Sequence, residues 1–198
     1  MVLACPRHTV EPDRRPSRAE SEADRHTVAA VSPDLTLHPA VAAVRAALAA
    51  RGFAPDLRVL PDAVKTAPAA AAALGITPAE IANSLIFKTV DATGQESALL
   101  VMASGGHRVD TAYLADQLGV ARIERADPDF VRTHTGMAIG GVAPVGHPTP
   151  LRTVVDIDLE RFESVWAAGG RAQTVFRTSY ADLLAMTSGR PAAVARPG

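Results

Sequence analysis

Apolar residues first recur at helical spacing at Leu37, Val41, Val44 and Leu48, and Gly52 follows where a helix end favours a residue tolerant of positive φ. An amphipathic helix is predicted there. DLRVL (56–60) reads as a short strand, and Thr66 caps an alanine-rich helix that stops at Leu74-Gly75. Thr77-Pro78-Ala79-Glu80 combines a capping Thr, a proline at the first helical position and an acid three residues after the cap, which predicts another short helix. The period then changes. SLIFKTV (84–90) and SALLVMA (97–103) flank a polar turn and read as an antiparallel hairpin at the centre of a sheet. Asp110-Thr111 caps the helix TAYLADQLG, ARIER (121–125) is strand-like, and DPDFVRTH (127–134) opens a helix with Pro128 near its start. RTVVDID (152–158) and QTVFRTS (173–179) read as strands, and YADLLAMTSG as a closing helix ended by Gly189. Short strands outnumber long helices and none alternates cleanly with a crossover helix, so an α/β (α+β) fold with a mixed, largely antiparallel sheet is expected.

The first 32 residues hold three prolines and ten charges of mixed sign with hardly any apolar period. Such a segment cannot offset its own ordering entropy, so residues 1–34 are expected to be a disordered extension, 35–190 the folded domain and 191–198 a tail. At 198 residues one well-buried core is favoured over two. Cys5 is the only cysteine, which excludes a disulfide framework and a cysteine-based zinc site and suggests a reducing compartment. No apolar run is long enough to span a bilayer and the start lacks the order of a signal peptide, so a cytoplasmic protein with no membrane partner is expected. A net charge of −1 supplies no global attraction for a polyanion, so a nucleic-acid partner needs a local patch. Of the 20 basic residues only Lys65 and Lys88 are lysines.

Candidate chemistry lies in three glycine clusters. GMAIGGVAPVGHPTP (136–150) carries four glycines and three prolines, which excludes regular structure and can bring bare backbone N–H groups against a carbonyl or carboxyl. A turn-rich connection is the competing reading, though the length and apolar character of the segment favour a functional loop. Ser104-Gly105-Gly106-His107-Arg108 follows a strand directly, and its Arg and His suit a phosphate or, equally, a solvated turn. Gly169-Gly170-Arg171 follows Trp166, a core residue or a flat platform. If the three clusters converge, they make one pocket lined by backbone donors. No GxSxG, HExxH, P-loop or dinucleotide fingerprint is present, and His107, His134 and His147 match no common metal spacing, so no metal or cofactor is expected. His147, inside the glycine-rich loop, is the histidine best placed to approach a ligand.

From about residue 37 to 188 the succession LGITPAEIANSLIF, ASGGHRVD, TAYLADQLG, ADPDFVRTHTGMAIGGVAPVGHP and RTVVDID resembles the YbaK/prolyl-tRNA synthetase-associated domain family. The most specific match is that family's G-x-x-x-P loop, here Gly140-Gly141-Val142-Ala143-Pro144. The resemblance implies a mixed α/β fold around a partly barrel-like sheet surrounded by helices. It also implies hydrolysis of the ester joining a wrong amino acid to tRNA, commonly tRNA(Pro), without a cofactor. An aminoacyl ester is already activated, so a site that orients water or a ribose hydroxyl and stabilises the oxyanion suffices.

One position departs from the pattern. Where well-known members carry a pocket lysine in a Lys-Thr-Leu or Lys-Ser-Leu triplet, this chain has Asn83-Ser84-Leu85. Lys88 lies five positions onward, on the opposite face of a regular strand, and Lys65 precedes the alanine-rich helix. An Asn keeps hydrogen-bond donors but loses the charge that attracts phosphate. A family serine on a later strand corresponds to Ala168. The resemblance thus assigns Asn83, Gly140 and Pro144 to the chemistry. Gly141, Val142, Ala143, Ser104, His107, Ala168, Gly169 and Gly170 are assigned to substrate binding. Three functions stay open: a trans-editing aminoacyl-tRNA deacylase, a non-catalytic module for a small ligand or tRNA end, and deacylation of another small acyl substrate.

Overall fold

A computed structural model describes residues 38–61 and 66–196. The expected 1–34 extension and Lys65 lie outside them. The described chain runs α1 (Pro39–Ala49), β1 (Leu57–Val59), α2 (Ala67–Leu74), β2 (Ile81–Val90), β3 (Glu96–Ser104), α3 (Thr111–Leu118) and β4 (Arg122–Arg125). It continues through α4 (Pro128–Thr135), β5 (Arg152–Asp156), β6 (Val165–Ala168), β7 (Thr174–Thr178), α5 (Tyr180–Thr187) and β8 (Arg190–Ala192). The strands form one sheet in the order β1-β7-β6-β2-β3-β5-β8, with β4 set against β2. β1–β7, β6–β7, β2–β3 and β2–β4 are antiparallel, whereas β2–β6, β3–β5 and β5–β8 are parallel. The expected mixed α/β class is what forms, with the β2–β3 hairpin at its centre. The sheet stays open, because β1 and β8 end the order without pairing to each other.

Local signals set the helix ends. Thr66 Oγ1 accepts from the Ala69 N–H, Asp110 from Tyr113, Asp127 from Phe130 and Ser179 from Asp182. Each satisfies an orphan donor of a first turn. Alternation along β2 and β3 buries both faces: Ala82, Ile86, Leu100 and Met102 pack toward α1, α5 and the glycine-rich loop, while Phe87, Leu99, Val101 and Ala103 pack toward α3 and β4. A third cluster joins Leu60, Ala70, Ala71, Ile81, Trp166 and Val175 beneath α2. No described helix is long and apolar enough to cross a membrane.

Three expectations are corrected. At Thr77–Glu80 the Glu80 carboxylate accepts from the Thr77 N–H and hydroxyl, each at 2.8 Å, but only a 3₁₀ turn forms at Pro78–Glu80, because Ile81 already belongs to β2. Ser188, at φ 51°, takes the left-handed position after α5 in place of Gly189. The tail expected from 191 is in part structured: Val155 pairs with Pro191 and Asp156 with Ala192, and Val194 is fully buried.

Candidate functional site

The site follows from how β2 is shared. β3 lines one side of it from Ala82 to Val90. On the other side β6 pairs only with Ile81 and Ala82, and β4 only with Phe87 to Val90. Residues 83–86 therefore have no strand neighbour on that side, and the sheet has a gap there. A cavity of about 240 Å³ is built at it, lined by Asn83, Ser84 and Leu85 of β2, the start of α2, Trp166 to Ala168 of β6, and Ile139, Gly140 and Val142 of the loop after α4. Four lining residues carry polar side-chain atoms: Thr66, Asn83, Ser84 and, through its indole N–H, Trp166. Thr66 is occupied as a helix cap and the Ser84 hydroxyl donates to Met102 Sδ at 3.3 Å. The half-buried Asn83 carboxamide makes no side-chain hydrogen bond among the described residues. Its amide is left over for a ligand.

The glycine-rich loop is held in alternation. The Gly141 N–H donates to Ala138 O at 3.0 Å and the Ala143 N–H to Met137 Sδ at 3.2 Å. Ile139, Gly140 and Val142 make no hydrogen bond through their N–H groups among the described residues, and all three line the cavity. Gly141 is required by close approach: a Cβ there would stand 2.7 Å from Arg171 Cα and 2.9 Å from Ala172 N. The β6–β7 turn thereby presses on the loop from behind.

Of the sequence candidates, Asn83, Gly140, Val142 and Ala168 line the cavity. Gly141 and Ala143 are buried behind that wall, and Gly169 and Gly170 lie in the turn packed against it. Pro144 borders a second, smaller hollow. Ser104 and His107 do not line the cavity, so two of the three glycine clusters meet and the third stands apart. Its residues form a clasp: Asp156, wholly buried, accepts from the Ser104 N–H at 3.1 Å and from His107 Nδ1 at 2.8 Å. The Ser104 hydroxyl donates to Ala79 O at 2.8 Å. Asp158 Oδ2 lies 3.5 Å from His107 Nε2 and 3.3 Å from the Arg161 guanidinium. Lys88 is engaged elsewhere, 3.1 Å from Glu96 and 5.3 Å from the Phe130 ring centre, and does not line the cavity.

Sequence reasoning had no role for Thr66 beyond capping and none for Ile139; only its place next to Gly140 marked the latter. Trp166, weighed as core or platform, is both: it is 6% exposed, lines the cavity and carries the Arg58 guanidinium 5.0 Å from its ring centre. Among the described residues no group of three or more His, Cys, Asp or Glu is arranged to hold a metal ion.

Residues 61–186 match a known family, the aminoacyl-tRNA editing domain. The chain is 30% identical over 105 residues to the uncharacterised protein YwhH of Bacillus subtilis, a stretch covering 53% of this chain and 64% of that protein. It is 29% identical over 92 residues to a proline–tRNA ligase of Lysinibacillus sphaericus, covering 46% of this chain and 15% of the ligase. The match thus spans less than two thirds of either relative. Among solved structures, a candidate trans-editing enzyme for prolyl tRNA synthetase superimposes with a TM-score of 0.72 at 39% identity, covering 81% of this chain and 99% of that one.

Proposed function

We propose that this chain, which belongs to the aminoacyl-tRNA editing domain family, hydrolyses the ester of mischarged tRNA, with tRNA(Pro) carrying a small amino acid as its substrate. One observation carries the reading. Three loop residues whose N–H groups make no hydrogen bond among the described residues, Ile139, Gly140 and Val142, border the same cavity as the Asn83 carboxamide, which is likewise without a hydrogen bond there. In the proposed reaction the ester carbonyl lies between the loop and β2 and accepts from those backbone groups. Water adds to the carbonyl carbon, the resulting oxyanion collapses, and the ribose hydroxyl leaves with the proton that the water gave up. Asn83 orients the carbonyl or the water through its amide. No protein nucleophile takes part. Ala143 and Pro144 act from behind, by holding Val142 in place. The apolar lining and the small volume favour a small side chain, although one methylene discriminates by only about 1–3 kcal/mol.

A second reading, a pocket that binds without turnover, is favoured by one feature: the described lysine, Lys88, is turned to Glu96 and away from the cavity. Mischarged tRNAs, beginning with Ala- and Cys-tRNA(Pro), separate the two. Deacylation above spontaneous decay is expected, with a fall of about 10²-fold in kcat for Asn83→Ala, the usual loss on removing one oxyanion donor. Binding of the tRNA with decay at the spontaneous rate would select the second reading.

A further inference from the structure

We infer that His147 is a positioning residue for the cavity, holding the donor loop from its far side through the Ala143 carbonyl; this rests on the deacylase reading above. The loop is a wall between two spaces. Val142 faces the main cavity, while Pro144 to His147 border a hollow of about 120 Å³ that also touches Arg51 and Thr187. Ala143, fully buried, is the hinge between these sides. Its N–H is bound only by the Met137 thioether, a weak acceptor. The next residue is Pro144, which has no N–H, so the peptide bond joining it to Ala143 can be hydrogen-bonded only through the Ala143 carbonyl. His147 Nε2 donates to that oxygen at 2.9 Å. Because a carbonyl brings no proton, the ring must carry its hydrogen on Nε2, which specifies one tautomer.

The support of the imidazole is itself stiff. Pro148 restricts the backbone of His147 to extended conformations. Gly146 sits so close to α1 that a Cβ on it would stand 3.0 Å from Val44 Cα. The hydrogen bond therefore ties the segment beside Val142 to a helix of the core. Without it, the Val142 N–H loses its fixed direction although no group touching the substrate has been removed.

Two measurements test this. The first compares His147→Ala and His147→Gln in deacylation of Ala-tRNA(Pro), with folding checked by thermal melting. Gln places an amide N–H near the position of Nε2. For His147→Ala, kcat is expected to fall about ten- to a hundredfold with KM little changed, as for misplaced catalytic groups, and Gln is expected to restore most of the loss. A folded Ala variant with wild-type kcat, or a folded Gln variant as impaired as Ala, overturns the inference. The second needs no substrate: long-range nitrogen–proton NMR of the wild type reports the tautomer, and the Gly140 and Val142 amide signals report loop order. Hydrogen on Nε2, with those signals broadened in the Ala variant and sharp in the Gln variant, is expected. Hydrogen on Nδ1, or unchanged signals in the Ala variant, refutes it. Wild-type inactivity on every mischarged tRNA would overturn the deacylase reading, while the NMR result would still decide whether His147 sets the loop.

Discussion

Single residues carry this site, and two show what one side chain decides. Asn83 stands where the gap in the sheet puts a side chain into the cavity, and the odd spacing to Lys88 places that lysine elsewhere, as strand alternation requires. The face taken by Lys88 was readable from alternation alone, whereas Asn83 was marked only by the resemblance to the editing family. The role of His147 was not readable, since the sequence marked it only as a histidine in a loop. Burial draws its imidazole below the ordinary value of 6.5; the hydrogen bond to Ala143 opposes this and the nearby Arg51 charge reinforces it. As pH falls, the unfolded chain takes up a proton at the ordinary value while the folded one resists. The contribution to stability is therefore complete above about 6.5 and lost as pH drops toward the lower folded value. Melting temperature followed through that interval should fall more steeply for the wild type than for His147→Gln. Equal slopes would show that the buried ring is not titrating.

At the scale of elements, the segment 104–107 changes character between sequence and structure. Glycines and a histidine after a strand suggested a ligand site, yet they fasten β3 to the end of β5 and to the 3₁₀ turn before β2. A Cβ on Gly105 would stand 2.2 Å from Pro78 O, so the two turns are in direct backbone contact. Asp156→Ala removes the acceptor for both Ser104 and His107 and is expected to lower stability by about 1–3 kcal/mol, the cost of leaving a buried donor unsatisfied. Denaturant unfolding measures it, and a loss under about 1 kcal/mol would deny the clasp. The elements that the sequence displayed best were those with a cap or a period: α2, α3 and the β2–β3 hairpin. Those it hid were governed by partners. The helix foreseen at Thr77–Glu80 is cut to one turn because Ile81 must pair with Trp166, and β8 has three residues, one a proline, with no pattern to betray its place beside β5.

For the whole molecule, the near-neutral charge constrains how the tRNA of the proposed reaction would be held. Arg58 and Arg171 flank the cavity through Trp166 and the β6–β7 turn, and Arg171 has no ion-pair partner among the described residues. Arg58 is also 3.5 Å from Asp56, so such a pair would grip few phosphates. The logarithm of tRNA affinity should fall with the logarithm of salt at a slope of about −1 to −2, and a slope several times steeper would reveal a basic face elsewhere. The fold class was legible because alternation and caps are local. The cavity was not, because it depends on β2 ending its pairing with β6 at Ala82 and beginning with β4 at Phe87, a matter of distant partners. That interruption also bears on synthesis. The ribosome delivers residues 81–90 well before 139–142 and 165–168, the segments that cover the flank of β2. Until they arrive, the nascent hairpin exposes an unpaired edge with Leu85 beside it, a template on which a neighbouring chain can add. The receptacle and the hazard of co-aggregation are the same stretch of backbone, seen before and after the later segments fall into place.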